Sequence, residues 1–163
     1  MSSLQDIADR LDVEALPGEF TDAGMMRDYS RFASLFTEDG VWRMPHIDVV
    51  IVGRDEIRAA VERLRGLWDH VVQNVHPGMI RVTGDTAVGR AYVAELGRLR
   101  AGSSHTNYAI YHDAYRRTAD GWKFTERVYE VRYLDTAPLS GSAPSSADEV
   151  LLPKIVTGTA ATS

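Results

Sequence analysis

The second half of the chain alternates apolar and polar residues with a period of two, and this pattern limits the fold more than any other feature. Four such runs cover about residues 79–83, 86–98, 104–118 and 122–133. This period is that of strands with one buried face. Gly84-Asp85 and Ala119-Asp120-Gly121 separate consecutive runs and are typical hairpin turns. The sequence therefore predicts long strands, mostly antiparallel.

The first half of the chain has helical spacing instead. A capping box at Ser3 precedes an apolar stripe formed by Leu4, Ile7, Ala8 and Leu11. We expect this helix to end near Pro17-Gly18, because proline interrupts a helix. A short helix is expected over residues 28–36, and an amphipathic helix runs over residues 57–68. With short strands at residues 41–45 and 48–52, these helices predict an α+β fold with the helices on one face of a curved sheet.

Composition limits the partners that the chain could bind. Its 163 residues fit one domain. The net charge is −5 and the sequence shows no basic stripe, so no nucleic acid is expected as a partner. The N-terminus does not have the pattern of a secretory signal, and no apolar run reaches the roughly 20 residues that span a membrane. We therefore expect no membrane partner and a cytoplasmic location.

Motifs for metals and cofactors are missing from the sequence. The chain has no cysteine, and its five histidines show neither HxH nor HExxH spacing. No GxGxxG motif follows a predicted strand. We therefore predict no metal and no cofactor.

Composition also changes near the C-terminus, from residue 136 onwards, where Pro, Ser, Ala, Gly and Thr become frequent. This change predicts a domain over residues 1–135 and a flexible or docking tail over residues 136–163. Within that tail, residues 150–153 form an apolar patch that could dock.

Four stretches carry a resemblance to a known family: FASLFTEDGVW, GRDEIRA, VTGDTAVGRAY and DAYRRTADGWKF, which begin at residues 32, 53, 82 and 113. In this order they resemble the nuclear-transport-factor-2-like superfamily, in its SnoaL-like branch. That branch includes polyketide cyclases, scytalone dehydratase and bile acid 7α-dehydratase. The resemblance implies a cone, in which a curved, mixed but mostly antiparallel sheet wraps over about three N-terminal helices. It also implies a pocket at the open end for a small hydrophobic organic ligand, and assembly into a homodimer or homotrimer.

The resemblance implies a histidine before one strand and a carboxylate on the next. Glu95 matches the carboxylate, although it could instead form an ion pair with Arg98. The histidine position falls on Gln73, and His76 follows three residues later. His76 precedes Pro77, so its backbone is expected to be extended and its side chain could point across the cone. Alternatively, His76 is only a solvated residue at a turn. His70 is a second candidate for the histidine.

Further candidates come from the same resemblance. Asp22 matches an acidic residue that could orient a histidine, or it could cap a helix. The family arginine falls on Val131, or on Arg132 if a one-residue bulge intervenes. The expected tyrosines are absent, which argues against dehydration by the scytalone route. The predicted substrate-binding residues are Trp42, Met44, Gln73, Asn107, Tyr111, Tyr129 and Arg132.

These residues predict a cofactor-free lyase, isomerase or cyclase that uses general acid–base chemistry on a hydrophobic or polycyclic substrate. His76 and Glu95 would exchange the proton, and Asp22 would orient the histidine. A non-catalytic ligand-binding or assembly module of the same fold is the alternative. A third candidate is epoxide hydrolysis, but no pair of aspartates fits beside Arg90 or Arg98.

Overall fold

A computed structural model describes residues 4–142, which form three helices and one six-stranded sheet. The helices are α1 (Leu4–Met25), α2 (Tyr29–Ser34) and α3 (Arg54–Gly66), and a 3₁₀ turn covers Pro45–Ile47. The strands are β1 (Phe36–Met44), β2 (Val49–Val52), β3 (Trp68–Thr83), β4 (Thr86–Leu99), β5 (Ser104–Thr118) and β6 (Gly121–Asp135). Ser3 and most of the predicted tail, including residues 150–153, lie outside the described residues.

The strands form one curved sheet in the order β2-β1-β6-β5-β4-β3. Only the β1–β6 pair is parallel among these strands, and the other neighbours are antiparallel. Helix α1 packs against β3 and β6, while α3 packs against β1. The predicted α+β class and the mostly antiparallel sheet are confirmed. None of the helices within residues 4–142 has the length and hydropathy to cross a bilayer.

An aromatic cluster fills the space between the helices and the sheet. The Phe20 ring on α1 lies 4.2 Å from Phe32, 5.8 Å from Trp42 and 6.1 Å from Phe124, measured between ring centres. All four side chains are buried. Such contacts add to the free energy of burial when the rings meet edge to face. The cluster fixes α1 across the inner face of the sheet.

Helix α1 continues through Pro17, so the prediction that it ends there is wrong. Proline removes one helical hydrogen bond and crowds the preceding turn. Here Val13, Pro17, Phe20 and Ala23 form one buried stripe, and their packing outweighs that local cost. The predicted stripe at the start of the helix is largely exposed, with Leu4 at 87% and Leu11 at 61% exposure.

Strand β3 begins at Trp68, well before the predicted start near residue 79. A register shift between Pro77 and Ile80 interrupts its pairing with β4, which hides the continuity in the sequence. Trp68 therefore belongs to a strand and not to the helix predicted for it. This extension places Gln73 in the sheet, opposite Glu95.

A fully buried ion pair lies between β5 and β6. Arg127 donates from Nε to Asp113 Oδ1 at 2.7 Å and from Nη2 to Asp113 Oδ2 at 3.0 Å. Both side chains are 0% exposed. The Arg127 guanidinium also lies 3.8 Å from the centre of the Tyr111 ring. A charge taken so far from water is tolerated only with a well-placed partner and additional polar contacts.

Removing the charge of Asp113 should make the protein less stable to unfolding. We expect Asp113→Asn to lower the free energy of unfolding by roughly 3–5 kcal/mol, because it leaves the buried Arg127 charge uncompensated. Urea unfolding followed by circular dichroism measures the change. The matched control is Asp39→Asn, whose exposed partner is Arg116 and whose cost should stay below about 1 kcal/mol. Equal losses in the two variants would contradict this account of the core.

Candidate functional site

A cavity of about 490 Å³ opens between the helices and the end of the sheet that holds the start of β5, the last part of β6 and the 3₁₀ turn. Phe20, Phe32, Trp42 and Met44 supply much of its apolar wall. A cavity of this size and character suits a small organic ligand. The polar side chains on its wall fall into three groups.

The first group is a hydrogen-bonded chain centred on Glu95. Gln73 Nε2 donates to Glu95 Oε2 at 2.7 Å, and Thr21 Oγ1 donates to Gln73 Oε1 at 2.9 Å. Glu95 Oε1 lies 3.2 Å from His105 Nε2. An ionised carboxylate can only accept, so we assign the proton on that nitrogen to the imidazole. His105 Nδ1 then has a free lone pair, since no described residue bonds to it.

Strand register brings this group together. Glu95 on β4 is the Cα partner of both Gln73 on β3 and Asn107 on β5. Alternate residues of each strand face the cavity, which puts His105 on the same side as Asn107. Arg98, the alternative partner for Glu95, binds Asp69 at 2.8 Å instead. The carboxylate is therefore held by groups of the cavity wall.

Trp68 packs against the imidazole of this chain. Its ring meets the His105 ring edge to face, with 4.6 Å between ring centres. Gly97, the Cα partner of His105, leaves the space for this contact. A Cβ atom there would lie 2.9 Å from the Trp68 ring and 3.0 Å from the His70 carbonyl oxygen. Glycine is therefore required for Trp68 to lie across β4 beside His105.

The second group supplies neutral hydrogen-bond donors. Asn107 Nδ2 donates to the Tyr129 hydroxyl oxygen at 2.5 Å, which leaves the Tyr129 proton free for a further acceptor. Burial raises the pKa of Tyr129 above its ordinary range, and Glu95 and Tyr111 raise it further. Burial also raises the pKa of Tyr111. Both phenols therefore stay protonated at neutral pH.

The third group comprises two basic side chains of the cavity wall, His46 and Arg65. Partial burial lowers the pKa of His46 because it disfavours the imidazolium, while Glu95 opposes this shift. His46 follows β1, and its ring centre lies 5.8 Å from that of Tyr129. It is a weak base that faces the same space as the other two groups.

Most of the predicted binding residues line this cavity. They are Trp42, Met44, Gln73, Asn107, Tyr111 and Tyr129, together with Glu95. Their placement agrees with the predicted parity of β4 and β5. What each of them does there stays a prediction.

His76 lies outside the cavity, so the expectation that it points across the cone is wrong. Gln73 and Val75 face inward, and the alternation of β3 turns His76 outward. There it lines an outer groove with Tyr92, Tyr108 and other residues of the sheet's exposed face. The sheet separates His76 from Glu95. His70, the other candidate, lies beside Asp69 and does not line the cavity.

Asp22 and Arg132 are also misplaced by the sequence analysis. Asp22 forms an exposed ion pair with Arg31, because α1 continues and turns this side chain away from the sheet. The expected bulge exists, since Tyr108 pairs with Tyr133 and the next residue, Ala109, pairs with Val131. Arg132 is the extra residue, and it is exposed beside Glu130. Val131 lines the cavity in its place.

Several polar residues of the cavity were not predicted, namely Thr21, His46, Arg65, Ser103, Ser104, His105 and Thr136. For His105 the signal was present, because it shares the parity of Asn107. The positions of Thr21 and Arg65 on the cavity wall depend on where α1 and α3 end, and the local sequence does not reveal these ends. No group of three or more His, Cys, Asp or Glu side chains within residues 4–142 converges as a metal site.

The lowered pKa of His46 gives a pH-dependent signal. As pH falls through about 6.5, the unfolded chain takes up this proton before the folded protein does. Acidification should therefore cost stability, and His46→Gln should lose less thermal stability between pH 7.5 and 5.0 than the wild type. By NMR, His46 should titrate below its ordinary range, and lower still in Glu95→Gln, where an attracting charge is lost. If Glu95→Gln left the pKa of His46 unchanged, this would contradict the proximity of the two side chains.

Comparison with solved structures identifies the fold. Hexachlorocyclohexane dehydrochlorinase LinA-type3 from Novosphingobium barchaimii has a TM-score of 0.76 and 24% identity over 86% of this chain and 97% of that chain. A protein from Novosphingobium aromaticivorans that is provisionally named an aromatic ring hydroxylase gives 0.72 and 28%, over 79% and 93%. A provisionally named scytalone dehydratase from the same species gives 0.71 and 18%, over 88% and 97%.

Sequence comparison agrees with the structural one. No curated protein sequence matches the chain significantly. A family model described as a SnoaL-like domain matches residues 3–128. The resemblance inferred from the sequence is thereby confirmed, and the chain belongs to the SnoaL-like domain family, with the nuclear-transport-factor-2-like cone fold.

Proposed function

We propose that the protein is a cofactor-free lyase or isomerase that removes a proton from carbon in a small hydrophobic, cyclic substrate. The observation that carries this proposal is the His105–Glu95 pair on the wall of an apolar cavity. The named lyases among the similar structures support the same reaction class. Within that class, we propose separate roles for three side chains.

His105 is the general base. Its Nδ1 takes the proton from the substrate carbon, and Glu95 stabilises the imidazolium that forms. In an elimination, the electron pair of the broken C–H bond forms a C=C bond while hydroxide or halide leaves the adjacent carbon. In an isomerisation, the pair moves towards a carbonyl oxygen, and the proton later returns at another carbon. Both routes balance without an oxidant or a reductant.

Tyr129 is the hydrogen-bond donor. Its raised pKa keeps it neutral, and the bond from Asn107 leaves its own proton available. A neutral donor stabilises charge that develops on a carbonyl oxygen or on a leaving group. The surrounding aromatic wall excludes water, which strengthens this interaction.

A non-catalytic binding module is the second candidate. The specific observation in its favour is Gln73, which stands where the resemblance to dehydratases implies a histidine. Gln73 cannot act as a base, and it forms part of the hydrogen-bonded chain between Thr21 and Glu95. In this case the cavity would hold a ligand without exchanging its protons.

Proton exchange separates the two candidates. The probes are 1-tetralone for deuterium uptake in D₂O, followed by mass spectrometry, with hexachlorocyclohexane and scytalone for elimination. We expect turnover of at least one probe and a loss of about 10²–10⁴-fold in His105→Asn, which removes the base. Glu95→Gln should lose less, because the base remains and only its charge partner is gone.

The chain offers a matched control for the histidine variant. His112 lies 2.6 Å from Glu130 in a carboxylate–imidazole pair of the same type, but this pair is on the exposed outer face. His112→Asn and His76→Ala should retain full turnover. Binding of 1-tetralone with exchange no faster than in buffer, and no elimination, would establish the binding module instead.

A further inference from the structure

Arg65 has buried hydrogen-bonding capacity that no described residue uses. Its Nε and Nη1 atoms are buried, and neither has a hydrogen-bond partner within residues 4–142. Unpaired buried guanidinium donors are costly, because water no longer satisfies them. Arg65 also lines the cavity, at the last turn of α3. The side chain that carries these donors therefore borders the space that a ligand would occupy.

The charges around Arg65 within the described residues are predominantly cationic. Burial lowers the pKa of Arg65, and Arg27 and Arg100 also disfavour its charge. Arginine nevertheless stays protonated at any physiological pH. No described carboxylate forms an ion pair with it, whereas Arg31, Arg98, Arg116, Arg117 and Arg127 all have acidic partners. This end of the cavity therefore attracts an anion.

We propose that Arg65 binds the carboxylate of a ligand whose apolar, flat body fills the rest of the cavity. The planar guanidinium matches a carboxylate with two parallel hydrogen bonds. Trp68, which contacts His105, lines the same cavity as Arg65, so the anion site and the proposed base open to one space. This inference rests on the cavity being the ligand site of the proposed function, and it names cyclic carboxylic acids as the preferred substrates of that site.

Binding of a matched pair of probes tests the inference without any turnover. The probes are 1-naphthoate and its neutral isostere 1-naphthamide, measured by calorimetry at constant ionic strength. We expect the wild type to bind the naphthoate about tenfold or more tightly, since hydrogen bonds between charged groups favour it. Arg65→Gln should lose that preference and bind both probes alike.

One further variant and one further measurement serve as controls. Arg63→Gln removes an exposed arginine from the same helix and should leave the preference intact. Retained binding of 1-naphthamide by Arg65→Gln shows that the cavity still forms. Failure of the wild type to bind the naphthoate, equal affinity for the two probes, or an unchanged preference in Arg65→Gln would overturn the inference.

The experiments can contradict the anion site and the proposed function independently of each other. His105→Asn should keep the preference for naphthoate, because the base does not hold the anion. A protein that prefers the naphthoate through Arg65 but exchanges no protons would retain the anion site and lose the lyase assignment. A protein that exchanges protons but binds both probes alike would keep the lyase assignment and lose the anion site.

Discussion

The alternation of side chains along β4 and β5 is the constraint on which the candidate site depends. One face of these strands is turned inward over their whole length, so every second residue must either pack or hydrogen-bond inside the cone. Towards the filled part of the core, the inward polar groups include Asp113 and Arg127, which form a buried ion pair, although Arg127 Nη1 has no hydrogen-bond partner among the described residues. Towards the cavity they are Glu95, His105 and Asn107, which leave hydrogen-bonding capacity for a ligand.

The histidine of the candidate site comes from a different strand than the resemblance implies. At the implied position stands Gln73, whose amide links Thr21 to Glu95. The imidazole comes instead from β5, on the other side of the same carboxylate. Position 73 lies directly opposite Glu95, whereas His105 reaches Glu95 diagonally, because it lies two residues from Asn107, the β5 partner of Glu95. The sheet geometry therefore allows the proposed base to lie on β5 instead of β3 while the carboxylate stays on β4.

Local pattern was enough to predict the parts of the fold and site that depend on strand parity. Asn107 and Tyr111 were placed on one face because β5 alternates without interruption, and the alternation of β4 agrees with the position that the resemblance implies for Glu95. His76 was misplaced because the register shift after Pro77 concealed the start of β3. Which side chains of a strand point inward cannot be predicted without knowing where the strand begins. Pro17 within α1 shows the other limit, since only tertiary packing reveals that a helix continues through a proline.

The central claim is that His105 presents a free Nδ1 to the cavity while Nε2 donates to Glu95. Long-range ¹H–¹⁵N NMR of histidine-labelled protein at neutral pH tests it most directly, because the two ring nitrogens have different shifts in each tautomer. The account predicts that His105 carries its proton on Nε2, and that this assignment is lost in Glu95→Gln. A proton on Nδ1, or a His105 spectrum indifferent to Glu95→Gln, would contradict it.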